Sequence, residues 1–248
     1  MKSLFTSFSI VLIFNIILNS NLILAQCESV NNNSASETGP YNVESILEED
    51  GMRNGPDYSG ATIFYPENGV PPFASIIIVP GYATLESTIH NWGPFFASHG
   101  IVTMTIGTNS IFDQPEDRKD ALLDALITIK NENTRVSSPL YNSIDTNRFA
   151  LGGWSMGGGG AQLAAVEDTS YSIKAIIAMC PWLNTLTLSS SDLNHDSPVL
   201  IFSGQIDAIS PPVVHANVHY NFTPQSTDKL IYEVGFASHL VANGPQGG

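Results

Sequence analysis

The chain has 248 residues, enough for one α/β domain with a substantial hydrophobic core. Nine basic residues against 23 acidic ones give a formal net charge of -14, which argues against nucleic acid as a partner because phosphate binding needs a basic face. An acidic surface of this kind favours solubility.

The first 25 residues have the pattern of a secretory signal peptide. A positive charge at Lys2 is followed by an apolar run over residues 10–18 and by a small residue suited to cleavage. Polar residues interrupt the run, so no stable membrane insertion is expected and the mature protein is predicted to be secreted or periplasmic. Cys27 leaves open a lipoprotein, although Gln26 is a poor residue immediately before a lipidated cysteine.

The rest of the chain divides into a short leader and one domain. Residues 26–40 are rich in Asn, Ser and Glu and are predicted to be disordered. Over 41–248 strands alternate with helices, which predicts an α/β fold with a mostly parallel central sheet flanked by helices. The predicted strands are Thr62–Tyr65, Ser75–Val79, Ile101–Ile106, Arg148–Gly152, Lys174–Met179, Val199–Phe202 and Leu230–Val234, and the predicted helices lie at His90–His99, from Pro115 through Ile129, at Ala161–Val166 and around His215 and His219.

One pentapeptide, Gly153 to Gly157, carries most of the functional information. It reads Gly-Trp-Ser-Met-Gly, with a predicted strand before it and a predicted helix after it. A strand, a sharp turn bearing serine and a helix form the nucleophile elbow of an α/β-hydrolase. The turn leaves no room for side chains at the two glycines, and it holds Ser155 in a strained conformation that presents its hydroxyl to a base. The sequence therefore predicts a serine hydrolase.

A serine nucleophile needs a histidine base and an acid that orients the histidine. In this fold the chain order is Ser, then Asp or Glu, then His, with each partner just past the carboxyl end of a strand. Asp207 follows the strand at 199–202 and His239 follows the strand at 230–234, so both are predicted members of a triad. The rivals Asp192, His195 and Asp196 lie in a polar loop before a strand.

Two further features admit other interpretations. His215 and His219 are spaced i, i+4 on a predicted helix, as metal ligands can be, but no third ligand is evident and a solvated helix face is the simpler alternative. No metal and no cofactor are therefore expected. Cys180 follows an apolar run and is predicted to be a small buried hydrophobe.

Two preorganised donors should stabilise the oxyanion that forms on the substrate. The backbone N–H of Met156 is one candidate, and the N–H of Tyr82, in the loop after the strand at 75–79, is the other. The ring of Tyr82 is expected to border the cleft or to be a structural aromatic. Trp182 and Trp154 likewise fit either the cleft rim or the core.

With these residues in place, the chain resembles the bacterial cutinase and poly(ethylene terephthalate) hydrolase family. The resemblance implies an α/β-hydrolase that cleaves carboxylic esters of aliphatic or aromatic polyesters. We expect a monomer that acts on polymeric or small ester substrates. The motifs that carry it are Val79–Tyr82, Trp92–Pro94, Ala97–Gly100, Asn109–Ser110, Asp113–Pro115, Gly153–Gly160, Pro181–Trp182, Asp207–Pro211 and Ser238–His239. The site residues that it implies are the triad Ser155, Asp207 and His239, the oxyanion donors Tyr82 and Met156, and the substrate contacts Tyr82, Trp154, Trp182 and Ile209.

The chain departs from the family pattern near its carboxyl end. Leu240 stands where the family often has Phe or Ser, the family's C-terminal cysteine pair is absent, and nine residues follow His239 where the family continues into a last strand or helix. The fold is therefore expected to be C-terminally short.

The alternatives to a polyester hydrolase are a small-ester or dienelactone-type hydrolase, a serine peptidase on the same fold, and an inactive binding protein.

Overall fold

The computed structural model describes residues 38–168 and 172–247. The predicted signal peptide, most of the predicted leader and Cys27 lie outside these residues. The domain forms one compact unit that begins at Thr38. The backbone N–H of Gly39 donates to the hydroxyl of Ser98 over 2.8 Å, so the chain already contacts the domain two residues ahead of the predicted start.

The centre of the domain is an eight-stranded sheet in the order β1-β2-β4-β3-β5-β6-β7-β8. The strands are β1 Val43–Leu47, β2 Ala61–Pro66, β3 Phe73–Val79, β4 Val102–Ile106, β5 Ile144–Trp154, β6 Ile173–Met179, β7 Val199–Gly204 and β8 Lys229–Val234. Strand β2 is antiparallel to β1 and β4, whereas β3 to β8 run parallel to one another. All six parallel strands therefore have their carboxyl ends at one edge of the sheet, which is where α/β folds place their sites.

Four α-helices accompany the sheet in the described residues: α1 Trp92–Ser98, α2 Pro115–Glu132, α3 Met156–Glu167 and α4 Ala216–Phe222. Short 3-10 helices lie at Glu48–Asp50, Glu86–Thr88, Ser190–Leu193 and His239–Ala242. In this part of the chain no helix combines the length and the apolar character needed to cross a membrane. The sheet and its flanking helices confirm the predicted α/β-hydrolase fold.

The strand and helix patterns explain why these elements form. The β-branched run from Ile76 to Val79 is buried throughout, because β3 lies between β4 and β5 and is covered on both faces. Helix α2 starts with Pro115 at its first position and with two acidic residues in its first turn, both favourable at a helix amino end. Its apolar side chains, Leu122 and Ile129 among them, join the main core.

The structure adds two features to the predicted elements. Strand β1 was not predicted, because its five residues carry no continuous apolar run, and β5 begins at Ile144, four residues earlier than predicted. On the edge strand β8, Leu230 and Tyr232 are both exposed. A C-terminal element covering such a face stays a prediction.

The prediction that His215 and His219 lie on a solvated helix face is wrong. His219 on α4 is fully buried and His215, at the start of α4, is almost so. The spacing correctly placed both rings on one face of the helix, but that face packs inward against the domain. Neither ring nitrogen of His219 has a hydrogen-bond partner within the described residues.

Burial makes the stability of this domain sensitive to acid. It lowers the pKa of His219 from its ordinary 6.5 to about 3, and it also lowers the pKa of His215 and of His195. Between pH 6.5 and 3 the unfolded chain binds protons that the folded chain does not, so acid favours unfolding. We expect the free energy of unfolding to fall with decreasing pH through this window, by about 1.4 kcal/mol per pH unit for His219, and the lowered pKa values of His215 and His195 act in the same direction.

Chemical denaturation of the protein and of a His219→Leu variant, at pH values from 8 to 4, measures this contribution. The variant lacks one of these titrating groups. It should therefore take up about one proton fewer on unfolding, and its free energy of unfolding should change less steeply with pH. Identical slopes in the two proteins would contradict the assignment.

Candidate active site

Ser155 lies in the sharp turn between the end of β5 and the start of α3. Its φ of 58° and ψ of -121° are strained values for a residue with a side chain. A Cβ at Gly153 would collide with the backbone of Gly157, and a Cβ at Gly157 would collide with the Val79 carbonyl. The two glycines of the motif are therefore a steric requirement of the turn.

The backbone around Ser155 is fixed by hydrogen bonds to neighbouring strands and loops. Its N–H donates to the Met179 carbonyl over 2.8 Å, and its carbonyl accepts from the N–H groups of Gly158 and Trp182, each over 2.9 Å. The residue is buried. The position of the nucleophile is thus determined by β6 and by the loop after it, as well as by its own turn.

Asp207 and His239 follow β7 and β8, as predicted, and the fold brings them together. His239 Nδ1 lies 2.7 Å from Asp207 Oδ2. A carboxylate only accepts hydrogen bonds, so Nδ1 carries the proton and Nε2 is left as the acceptor that a base needs. The other carboxylate oxygen, Oδ1, accepts from the N–H groups of Ile209 and Ser210, each over 2.8 Å. Three hydrogen-bond donors therefore hold the Asp207 carboxylate in place.

The imidazole of His239 is also held from the side of the nucleophile. Trp154, the residue before Ser155, is buried and donates from its indole Nε1 to the His239 carbonyl over 2.9 Å. The two rings pack with centroids 4.9 Å apart. The residue next to the nucleophile in the chain thus contacts the predicted base, which places His239 beside the elbow.

The buried thiol of Cys180 lies close to Asp207. Burial, together with the negative charge of Asp207, raises the pKa of Cys180 to about 12, so the thiol stays protonated. The Cys180, Asp207 and His239 side chains bring ligand-type atoms within 4.8 Å of one another. Because carboxylate and imidazole bind each other and the thiol keeps its proton, the cluster fits a hydrogen-bonded triad better than a metal site.

The loop after β3 approaches Ser155 closely. A Cβ at Gly81 would come within 2.8 Å of the Ser155 Cβ, so this position tolerates no side chain. The next residue is Tyr82, whose N–H donates no hydrogen bond within the described residues. Met156 opens α3, and the N–H groups of a first helical turn have no partner in the helix. Neither N–H group donates a backbone hydrogen bond within the described residues, and the role of both as oxyanion donors stays a prediction.

The aromatic and aliphatic residues predicted to contact substrate differ in exposure. Ile209 is 64% exposed and Tyr82 is 46% exposed, with the Tyr82 ring 5.6 Å from that of Phe112. Trp182 is half-buried. Trp154 is only 5% exposed, so its main contacts are with the protein and a direct contact with substrate stays a prediction.

Sequence reasoning missed one residue at this site. The His215 ring lies 5.8 Å from the Trp182 ring, and both Asp207 and His239 are close enough to influence its pKa, although burial has the larger effect. The sequence contained one indication of this position: His215 follows Asp207 by only eight residues, just before the start of α4. The rivals for the triad have structural roles instead: the Asp192 carboxylate accepts from the Ser189 N–H, and the His195 carbonyl accepts from the Thr227 hydroxyl.

Comparison with known proteins gives a consistent result. The family profile described as "PETase: PET hydrolase-like" matches residues 28–247. "Cutinase est1" of Thermobifida alba is 37% identical over 213 residues, which are 84% of this chain and 66% of that protein. "Cutinase 2" of Thermobifida cellulosilytica is 36% identical over 212 residues, 85% of this chain and 76% of that protein.

A third relative carries a different name. "Bis(hydroxyethyl) terephthalate hydrolase" of Streptomyces coelicolor is 34% identical over 206 residues, 83% of this chain and 62% of that protein. The chain thus spans about two thirds of the length of these curated relatives. These matches confirm the family resemblance found in the sequence.

Proposed function

The chain belongs to the PET hydrolase-like family, and we propose that it is a serine ester hydrolase that cleaves the ester bonds of polyesters and of small esters through an acyl-enzyme on Ser155. The observation that carries the proposal is the Asp207–His239 pair, with its 2.7 Å hydrogen bond, beside a strained serine turn. Relatives named cutinase and bis(hydroxyethyl) terephthalate hydrolase support the substrate class.

Acylation begins when the Ser155 hydroxyl attacks the carbonyl carbon of the ester and its proton passes to His239 Nε2. The carbonyl oxygen becomes an oxyanion that accepts from the N–H groups of Tyr82 and Met156. The imidazolium forms next to Asp207, whose negative charge stabilises it. The intermediate then collapses, the bond to the alcohol breaks, and His239 gives its proton to the leaving oxygen.

Deacylation repeats these steps with water as the nucleophile. His239 takes a proton from water, the hydroxide attacks the acyl-enzyme, and the same two N–H groups stabilise the second oxyanion. When this intermediate collapses, Ser155 leaves with the proton from His239 and the carboxylic acid is released. The residues that we assign to this cycle need no metal or cofactor.

The exposed rim favours a large substrate over a small one. Tyr82 and Ile209 are both substantially open to solvent, although each carries a large apolar side chain. Apolar surface that is open at a cleft can bind the repeating units of a polymer on both sides of the scissile ester. We therefore favour polyester over a dienelactone-type small ester as the substrate class.

Two assays on the purified protein test the proposal. Hydrolysis of a p-nitrophenyl ester reports any esterase activity, and release of aromatic acid from a polyester film reports polyesterase activity. Activity on both supports the proposal. Activity on the soluble ester alone indicates a small-ester hydrolase, and activity on neither, with the serine unreactive towards an organophosphate, indicates a binding protein. Cleavage of peptides in preference to esters would indicate a peptidase.

Replacing Trp182 should separate aromatic from aliphatic substrates. A half-buried indole can stack on a terephthalate ring but gains little from an acetyl group. We expect Trp182→Ala to lower turnover of an aromatic polyester by about three- to tenfold more than turnover of a short aliphatic ester. Trp182→Phe keeps a ring and should lie in between. Equal losses on the two substrates would favour a packing role, for example against His215.

We also propose that the protein is exported, because residues 1–25 have the composition of a signal peptide. Expression of the full chain with an epitope after Gly248, followed by fractionation, tests this. Export with removal of the first 25 residues supports the proposal. A product that keeps its N-terminus in the cytosol contradicts it, and lipid attached to Cys27 would identify a lipoprotein.

A further inference from the structure

Arg118, on α2, is a charged side chain that the proposed reaction cycle does not use. It is fully buried, with 0% of its surface exposed. Within the described residues Arg118 forms no ion pair, and the acidic groups that act on its pKa are those of Asp113 and Asp117. Burial lowers the pKa of Arg118 to about 10, so the guanidinium is still charged at neutral pH. A buried cation without a carboxylate partner is costly, and core packing alone does not account for it.

The two ends of the guanidinium bind carbonyl groups on two separate loops. Nη1 donates to the Pro80 carbonyl over 2.9 Å, and Nη2 donates to the Ile111 carbonyl over 3.2 Å. Ile111 also accepts from the Ala83 N–H over 2.7 Å. The guanidinium therefore links the Pro80 end of the segment Pro80–Ala83 to the loop after β4, a contact that suits the fixed fork of arginine, and the Ala83 end is tied to the same Ile111 carbonyl by its own N–H.

This segment contains the Tyr82 N–H that we assign to the oxyanion hole. A further hydrogen bond holds the segment next to Tyr82, because the Thr84 hydroxyl donates to the Gly81 carbonyl over 2.7 Å. Ala83 has a φ of 56°, a strained value that persists only where surrounding contacts enforce it. The orientation of the Tyr82 amide is thus set by contacts made on either side of it.

The Cβ of Arg118 also packs against α3, the helix that follows Ser155. A Cβ at Gly160 of α3 would approach the Arg118 Cβ to 3.0 Å and the Pro115 carbonyl to 2.9 Å. The backbone of α2 therefore lies directly against α3, while the guanidinium reaches the loop after β3. We propose that Arg118 is a positioning residue that holds the Pro80–Ala83 segment, and with it the Tyr82 N–H, in place relative to Ser155.

This inference rests on the proposed function for its kinetic consequence but has a structural consequence of its own. Arg118→Lys keeps the charge and loses the fork, so one of the two carbonyls should lose its donor. We expect kcat on a p-nitrophenyl ester to fall by about 10- to 100-fold with KM changed less than about twofold, because an oxyanion donor acts mainly in the transition state. Inhibition by an alkyl boronic acid, whose adduct on serine carries a negative oxygen, should weaken in parallel.

Amide hydrogen exchange measures local opening of the Pro80–Ala83 segment independently of enzymatic activity. In a peptide covering residues 81–84, exchange of the Ala83 N–H, which is hydrogen-bonded to the Ile111 carbonyl, should become at least about tenfold faster in Arg118→Lys, since opening of a local unit governs exchange. Arg53→Lys is the matched control. The Arg53 guanidinium also binds α2, through the Asp124 carboxylate and the Thr128 hydroxyl, but makes none of the loop contacts. That variant should lose stability while kcat and exchange at 81–84 stay unchanged.

A second variant covers the case in which Arg118→Lys does not fold. Gly160→Ala would displace α2 by a few tenths of an ångström while improving helix propensity, so kcat should fall and exchange at 81–84 should rise. The inference is overturned if Arg118→Lys folds with unchanged kcat and exchange. If it does not fold, unchanged kcat and exchange in Gly160→Ala overturn it. If the protein itself hydrolyses no ester, the proposed function fails, and exchange alone decides the role of Arg118.

Discussion

Ser155→Ala should abolish ester hydrolysis while the domain stays folded. The hydroxyl is the attacking group in the proposed cycle, and loss of a triad member typically lowers the rate by about 10⁴- to 10⁶-fold. Alanine has the same Cβ as serine and no larger side chain, so the substitution adds no backbone strain at this position and the turn should persist. Steady-state hydrolysis of a p-nitrophenyl ester, with circular dichroism to verify folding, measures the effect.

Ser191→Ala provides a matched control for this substitution. Ser191 is exposed on the 3-10 helix at Ser190–Leu193, in the connection between β6 and β7, and its alanine variant should retain full activity. A well-folded Ser155→Ala variant that keeps more than about a hundredth of the activity would be incompatible with an acyl-enzyme on this residue, given the usual cost of losing a nucleophile.

Asp207→Asn and His239→Ala should each reduce the rate nearly as much. Asparagine can still accept from the Ile209 and Ser210 N–H groups at Oδ1, so the loop should keep its shape. At the other atom an amide presents a donor to Nδ1, which forces the proton onto Nε2 and removes the base. In a comparable triad this change lowers the rate by about 10⁴-fold. The measurement is kcat on the same soluble ester, normalised to folded protein.

His195→Ala serves as the control for the base, because His195 is buried on the connection between β6 and β7 and neither nitrogen of its ring has a hydrogen-bond partner within the described residues. It should lose some stability and keep its kcat. The sequence alone suggested that His215→Ala would be equally neutral, but the structure places that ring against Trp182, so we now expect a measurable effect on substrate turnover. A crippled His195→Ala beside an active His239→Ala would mean that the wrong base was chosen.

The elbow, the triad order and most strands could be predicted because the information is local. Gly153 and Gly157 must lack side chains for reasons that act within one turn, and the position of a residue just after a strand follows from a run of apolar residues before it. In parallel strands the carboxyl ends share one edge, so Asp207 and His239 could be placed together without knowledge of any contact. The short strand β1, which carries no such run, escaped detection.

What the tertiary structure decided concerns contacts between residues far apart in the chain. The i, i+4 spacing of His215 and His219 shows that they share a face of α4, but only packing determines whether that face meets water or the core, and it meets the core. The same ambiguity applied to Trp154, an aromatic that fits a cleft or a core and is buried against His239.

The sequence by itself determined that this protein has a nucleophile elbow with an acid and a base in hydrolase order, because sharp turns and strand ends are encoded by neighbouring residues. Only the tertiary structure decided how these groups are supported. The hydrogen bonds from the Trp154 indole to the His239 carbonyl and from the Arg118 guanidinium to the Pro80 carbonyl join elements tens of residues apart, and no periodicity in the sequence indicates such pairs. Local sequence dictates backbone shape, whereas hydrogen bonds between distant loops depend on how the whole sheet brings its edges together.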